Sequence, residues 1–209
     1  VVAMYVYVLD ELSYDKFHEK GDLIYRVNTT SRFDGNENLY STTSAPVGEM
    51  AKSTIESLDD VARLFGRQAS IQLIDSKATP LNTQKFREQH FFLADPSIFK
   101  IFSFTFIKGG AESALKDPSG LVISRDIALK YFGSVDAAMG RDVLFEGHRT
   151  LTISGVIENY PYQSHLRIEL LAHFDHFYTE ETPETQQYLK TDWLNNPVIT
   201  YVLLKENRN

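Results

Sequence analysis

The chain opens on nine apolar residues, Val1-Val2-Ala3-Met4-Tyr5-Val6-Tyr7-Val8-Leu9, that stop abruptly at Asp10-Glu11. A bilayer-spanning helix needs ~20 such residues, so this run is too short to cross a membrane alone. It carries no cationic flank and no small-residue cleavage site, which excludes a signal peptide. Two structures remain: a buried strand or core helix, or the last two turns of a longer membrane helix. Nine residues are too few for periodicity to separate them.

Beyond Asp10-Glu11 the chain reads as folded protein. The 209 residues are enough for one large domain or two small lobes, and 43% hydrophobic with 12% aromatic residues suits a packed core. The net charge of −7 is spread without a block of like charges, so nucleic acid and anionic lipid are poor partners. Cysteine is absent, which removes disulfides, thiolate chemistry and Cys-based zinc sites together.

Local signals place most elements. Leu23 to Val27 alternates as a strand, Asp34-Gly35-Asn36 is a turn, and Leu39 to Thr43 reads as the returning arm of a hairpin. Pro46 after the cap-competent Ser44 opens a helix whose apolar face is Val47, Met50, Ala51, Ile55 and Leu58. Val61–Phe65 and Ser70–Ile74 read as two strands, giving a β-α-β unit. Asp95-Pro96 starts a short helix. Ser124 caps another, with Ile127, Ala128, Tyr131 and Phe132 on its apolar face and Gly133 as its left-handed stop. Gly155 marks a bulge in the strand Leu151–Ile157. Leu166 to Leu171 is extended, Tyr178 to Asn196 is a polar loop with some helix, and Val198 to Leu204 is a strand buried on both faces.

The segment after the apolar opening contains Ser13-Tyr14-Asp15 with Phe17-His18, then Ile24-Tyr25-Arg26-Val27. Further on stand Phe92 to Phe104, Leu121-Val122-Ile123-Ser124, Tyr131-Phe132-Gly133, Gly155-Val156-Ile157 with Ser164-His165-Leu166, and Thr200 to Leu204. In order and spacing these resemble the extracytoplasmic domain of MacB-type (FtsX-like) ABC transporter permeases. In that family an apolar first transmembrane helix runs into a "DE-x-SYD-x-FH" stretch and an "IYRV" strand. The resemblance favours the membrane-helix reading of residues 1–9, with a helix over 4–20 whose Asp10-Glu11 meets water.

The resemblance also implies a fold: α+β and two-lobed, with a porter-like β-α-β lobe and an inserted Sabre-like mixed α/β lobe. On this chain it gives a membrane-proximal helix at 1–20, porter-like parts at 21–84 and 163–209, and the inserted lobe at about 85–162. Lys205-Glu206-Asn207-Arg208-Asn209 stands where the family's second porter helix is expected to begin.

No catalytic, cofactor-binding or metal-ligating set is assigned. Gly109-Gly110 lacks the lysine and hydroxyl of a phosphate loop, and no G-x-S-x-G elbow occurs. His173, Asp175 and His176 lie close enough to share a helix face but lack the further ligands a metal needs. Ser164 and His165 are neighbours whose side chains point apart on a strand, which makes His165 a turn histidine bonded to backbone. Phe91, Phe92, Phe99, Phe102, Phe104 and Phe106 read as core before they read as a ligand pocket. Arg63, Arg67 and Arg87 read as solvated cations, and Trp193 as a loop anchor or a partner contact.

The resemblance therefore implies the periplasmic domain of an inner-membrane permease that couples ATPase-driven helix motion to periplasmic work. It implies no enzyme activity and no cofactor. Its partners would be a cytoplasmic ABC ATPase reached through the full-length permease, a second permease in a homo- or heterodimer, and a periplasmic adaptor, lipoprotein or enzyme. A ligand-sensing receptor domain and a partner-recruiting scaffold are the rival classes, separable by ligand-dependent melting.

Overall fold

The computed structural model describes residues 14–74, 84–179 and 181–206. The first strand, β1 (Ile24–Val27), leads into a hairpin of β2 (Thr29–Phe33) and β3 (Asn36–Tyr40), closed at Asp34-Gly35 as the turn residues predict. Its return arm starts at Asn36, three residues earlier than expected. Next come α1 (Pro46–Thr54) and β4 (Leu58–Leu73). The capping of α1 departs from expectation: the Ser44 side chain makes no cap bond, and Ala45 occupies the cap position. So does its face, because Met50 and Ile55 are about half exposed while Gly48 and Ala51 are buried. The helix lies so close to the sheet that a Cβ on Gly48 would sit 2.7 Å from Arg63 Cγ, which leaves room only for glycine unless Arg63 shifts.

Where two strands were expected, β4 is one strand of 16 residues, bent by a bulge between Arg67 and Ala69. It turns back as β5 (Lys85–Ala94), followed by α2 (Ile98–Ile101), β6 (Phe106–Lys108) and β7 (Gly120–Ser124). Then α3 (Arg125–Phe132) is built as the sequence says. Ser124 Oγ accepts the Ile127 N–H, Ile127, Ala128 and Tyr131 are buried, and Gly133 ends it at φ 76°. The chain continues through α4 (Val135–Ala138), β8 (Asp142–Phe145), β9 (Arg149–Ile157), β10 (Leu170–His173), α5 (His176–Thr179), α6 (Pro183–Thr191) and β11 (Ile199–Leu204).

The architecture is mixed α/β, as expected. Among the described residues nine strands form one sheet in the order β1-β11-β4-β5-β10-β7-β9-β6, with β8 pairing both β4 and β9. β1 and β4 are each antiparallel to β11, hence parallel to one another, with α1 as the crossover between them. The expected β-α-β unit is therefore present, split by β11, and β11 is central and buried along its length.

Because β8 bridges β4 and β9, the pairings β4-β5-β10-β7-β9-β8-β4 form a ring. A closed ring leaves few exposed strand edges. Its interior is one core: Ile71, Phe91, Leu121, Ile123, Phe145 and Leu170 are all fully buried in it, and the Phe91 and Phe145 rings stack at 5.0 Å. A second core packs on the other face, where Leu64, Ala94, Val122, Leu171, Tyr201 and Leu203 meet Ile98 and Ile101 of α2. Alternation along β7 and β10 feeds both, with Leu121 and Ile123 to one side and Val122 to the other. The bulge at Ser154-Gly155 shifts that alternation by one residue, so Ile153 before it and Val156 after it reach the same core. A Cβ on Gly155 would meet the Phe106 ring at 2.9 Å. The phenylalanine cluster is thus core, divided between the two: Phe91 faces the ring interior, while Phe102 is buried in the second core with Phe92, Phe99, Phe104 and Phe106 packed against it.

Among the described residues no helix is long and apolar enough to cross a membrane. The expected helix over 4–20 does not extend through its last part. Residues 14–20 form turns, with Asp15 at φ 58°, a left-handed backbone no α-helix contains. Its start at residues 4–13 lies outside the described residues.

Candidate functional site

The turns of residues 14–20 are held to the body by side chains. The left-handed backbone of Asp15 turns its carboxylate toward the loop before β10, where it is gripped three ways. Oδ1 accepts from Ser164 Oγ (3.0 Å) and from the His165 N–H (3.3 Å), and Oδ2 lies 2.5 Å from His165 Nδ1. The Asp15 N–H also donates to the Gln163 carbonyl at 2.9 Å. The other nitrogen of His165, Nε2, lies 2.6 Å from the hydroxyl of Tyr201 on β11. A continuous chain Asp15–His165–Tyr201 thus links the turn segment to the central strand.

Three residues on, Phe17 and His18 insert between aromatic rings. The His18 ring stands 4.8 Å from that of Phe102, and the Phe17 ring 5.5 Å from that of Tyr160. His18 is 6% exposed and accepts the Ser103 N–H at Nδ1 (3.2 Å). The Glu19 N–H donates to Ser103 Oγ (3.0 Å), and Lys20 Nζ to the Lys100 carbonyl (2.9 Å). The motif residues Asp15 and His18 are therefore a clamp that meets the body at residues 163–165 and at residues 100–103, with His165 passing the contact on to β11.

The electrostatics are those of a bonded clamp. Burial lowers the readiness of His18 to take a proton, and the Asp15 carboxylate opposes this only in part. Burial also pushes the Tyr201 hydroxyl up to about 12, so it stays protonated and can donate to His165. With one ring nitrogen of His165 on Asp15 and the other on Tyr201, the trio ties three parts of the fold together. The clamp borders an open cavity of about 770 Å³ whose wall also carries Lys16, Glu19, Asp22 and Arg26.

His165 thus departs from the expected turn histidine: its ring is bonded to two side chains. Ser164 and His165 do not pair with each other; both bond Asp15. Neither residue's spacing could disclose this, because the partner lies 150 residues away in the chain.

A second polar knot corrects another expectation. Arg63 is 7% exposed, not solvated. Its Nε and Nη2 donate to the two oxygens of Asp95 at 2.8 and 2.9 Å, and its backbone N–H also donates to Asp95 Oδ2 (2.9 Å). Nη1 reaches Glu49 on α1 (2.8 Å) and the Tyr178 hydroxyl on α5 (3.1 Å). The guanidinium stacks on Phe174 at 4.2 Å. Burial opposes its charge, but the Asp95 bonds outweigh that and hold it protonated. Arg67 is half-buried on Glu146 at 3.1 Å, and only Arg87 fits the expectation, bonding the exposed Gln68 at 3.0 Å.

Among the described residues no group of three or more His, Cys, Asp or Glu is arranged to hold a metal ion. His176 is buried, with Nε2 on the Pro118 carbonyl (2.7 Å) and Nδ1 on Arg149 (2.8 Å), while His173 Nδ1 accepts the Asp175 N–H (3.2 Å). Trp193 is half exposed, on a turn where Asp192 Oδ1 accepts the Leu194 N–H (2.9 Å).

Comparison with known proteins agrees with this geometry. The family described as MacB-like periplasmic core domain matches residues 1–207. A domain assigned to a permease protein of Porphyromonas gingivalis is similar in structure, with TM-score 0.70, 24% identity, and coverage of 92% of this chain and 77% of that one. The periplasmic region of MacB from Actinobacillus actinomycetemcomitans follows, with TM-score 0.54, 10% identity, and coverage of 80% and 68%. At these identities the likeness shows the fold. No curated protein sequence matches the chain.

Proposed function

Since the chain belongs to the MacB-like periplasmic core domain family, we infer that it is the periplasmic working part of an ABC transporter permease, acting by mechanical coupling. An ATPase and a second permease follow from that membership. In this reading nucleotide-driven motion of an inner-membrane helix reaches the domain through residues 1–20 and displaces the domain as a body. The work done, whether export, release or activation of a partner, takes place at the periplasmic side.

The observation that carries the reading is the clamp. Residues 15–20, which closely follow the apolar opening, are bonded to two separate places, residues 163–165 and residues 100–103, on a body with two packed cores. A packed interior moves as a unit and passes displacement on with little loss. A segment that served only as a tether would not need bonds to the body at each of its ends. Division into porter-like parts (21–84 and 163–209) and an inserted Sabre-like part (85–162) is proposed with it.

The test uses the full-length permease with its ATPase, and Asp15→Asn, which keeps a residue tolerant of the left-handed backbone while removing the carboxylate. Nucleotide hydrolysis is expected to continue while transport or partner activation falls. Wild-type transport in that variant would overturn the coupling reading.

A further inference from the structure

We propose that His18 is an acid-sensitive latch of this clamp, closed while its ring is neutral and released on protonation. The proposal deepens the coupling reading by giving the clamp a regulator, and rests on it for its consequence in transport.

The geometry fixes the protonation state the closed clamp requires. The partner of Nδ1 is the Ser103 N–H, a donor with nothing to accept, so Nδ1 carries a lone pair and the ring proton sits on Nε2. Nε2 itself is buried without a hydrogen-bond partner, as is the nearby Tyr160 hydroxyl. Protonation would set a new N–H at Nδ1 against the Ser103 N–H, alongside an Nε2–H that has no acceptor. A buried cation with two unsatisfied donors is expelled, not accommodated. The rings of Phe17 and Phe102 beside it supply no lone pair to replace the lost bond.

Charged and titratable groups face His18 from several elements. Asp15, on its own turn, favours the charged ring; His165, from the loop before β10, disfavours it; burial among the rings is the larger influence and keeps it neutral. Lys16, Glu19, Asp22, Arg26 and Tyr201 line the open cavity around it. His165 cannot play the same part. The partners of its two ring nitrogens, a carboxylate and a hydroxyl, can each accept a hydrogen bond. The sensitivity is thus confined to the histidine whose partner is a donor.

The sign follows from linkage. A histidine kept neutral in the closed state takes up a proton on opening, so closure is favoured above the ordinary value of 6.5 and is lost as pH falls below it. The measurement is amide hydrogen exchange at Ser103 and Glu19 of this chain from pH 8 to pH 5, corrected for the intrinsic pH dependence of exchange. The opening constant is expected to rise on acidification below the unperturbed value, by at most about tenfold per pH unit, and to level off once the closed-state ring takes up the proton. His18→Asn, whose side-chain oxygen can still accept the Ser103 N–H, should flatten that slope whatever its absolute level. A flat wild type, or a slope unchanged in His18→Asn, overturns the proposal.

If His18→Asn does not fold, ring nitrogen NMR of the wild type decides. Ring protonation and opening at Ser103 should share one midpoint, and a ring that titrates while Ser103 stays protected overturns the latch. The transport test with Asp15→Asn, run at pH 8 where the latch is closed, reads the coupling alone. The two proposals can therefore fail separately.

Discussion

The clamp around Asp15 and the knot around Arg63 solve the same problem with opposite chemistry. Each ties an element near one edge of the fold to the sheet through a carboxylate. In the knot the cation is an arginine, always charged, buried, doubly bonded to Asp95 and stacked on Phe174. In the clamp the groups are two histidines and a tyrosine, and the Asp15 and His165 side chains remain 32% and 38% exposed. The first is a joint built on a guanidinium that stays charged. The second holds through the Asp15 bonds, and on the latch proposal only His18 in it answers to acid.

Substitutions at each end of this contrast would sharpen or break it. The largest effect is expected from Arg63→Ala, which strands Asp95 and loosens α1 and α5 together; denaturant unfolding should show a loss of about 3 kcal/mol. A loss no greater than that of any clamp variant would remove the distinction. Asp15→Asn should remove about 1 kcal/mol, discounted because both partners are partly exposed, with faster exchange confined to residues 14–20 and 103. Global destabilisation of Arg63→Ala size would show that the clamp belongs to the cooperative core. Tyr201→Phe keeps the ring in its core and removes only the hydroxyl on His165, and a melting shift equivalent to about 0.5–1 kcal/mol is expected. Smallest of all is Leu194→Ser, on a residue 89% exposed and outside both networks, for which stability should stay within about 0.5 kcal/mol.

How legible each region is in the sequence depends on the range of its contacts. The helix from Ser124 to Gly133 is readable because its cap, apolar face and stop lie within ten residues and obey local geometry. β11 is readable because a run buried on both faces needs no alternation. The apparent break between Val61–Phe65 and Ser70–Ile74 is a bulge: Gly66 and Gln68 interrupt the apolar pattern without interrupting the strand. Ring closure by β8 is invisible, since its pairing with β4 joins residues some seventy apart through nothing but register. The clamp is legible only as a resemblance. Ser13-Tyr14-Asp15 with Phe17-His18 marks the place, but the bonds that explain it run from Asp15 to His165 and from His18 to Ser103, and no spacing rule reaches so far. Arg63 is deceptive for the same reason, because its burial depends on Asp95 arriving at the end of β5.

The pairing of Ile24 with Leu203 has a mechanical consequence. β1 begins and β11 finishes at the same edge of the sheet. A pull applied between those two strand ends would load their hydrogen bonds in sequence, one after another, as a zipper opens, and not all together in shear. Taken alone that is a weak way to attach a domain to a moving stalk. The bonds of Asp15 and His18 lie upstream of β1 and would divert tension into the loop before β10, the α2 edge and Tyr201 in mid-strand. On the coupling and latch proposals the zipper would see load only after the latch has opened, with His18 and Asp15 as the fuse that protects the sheet.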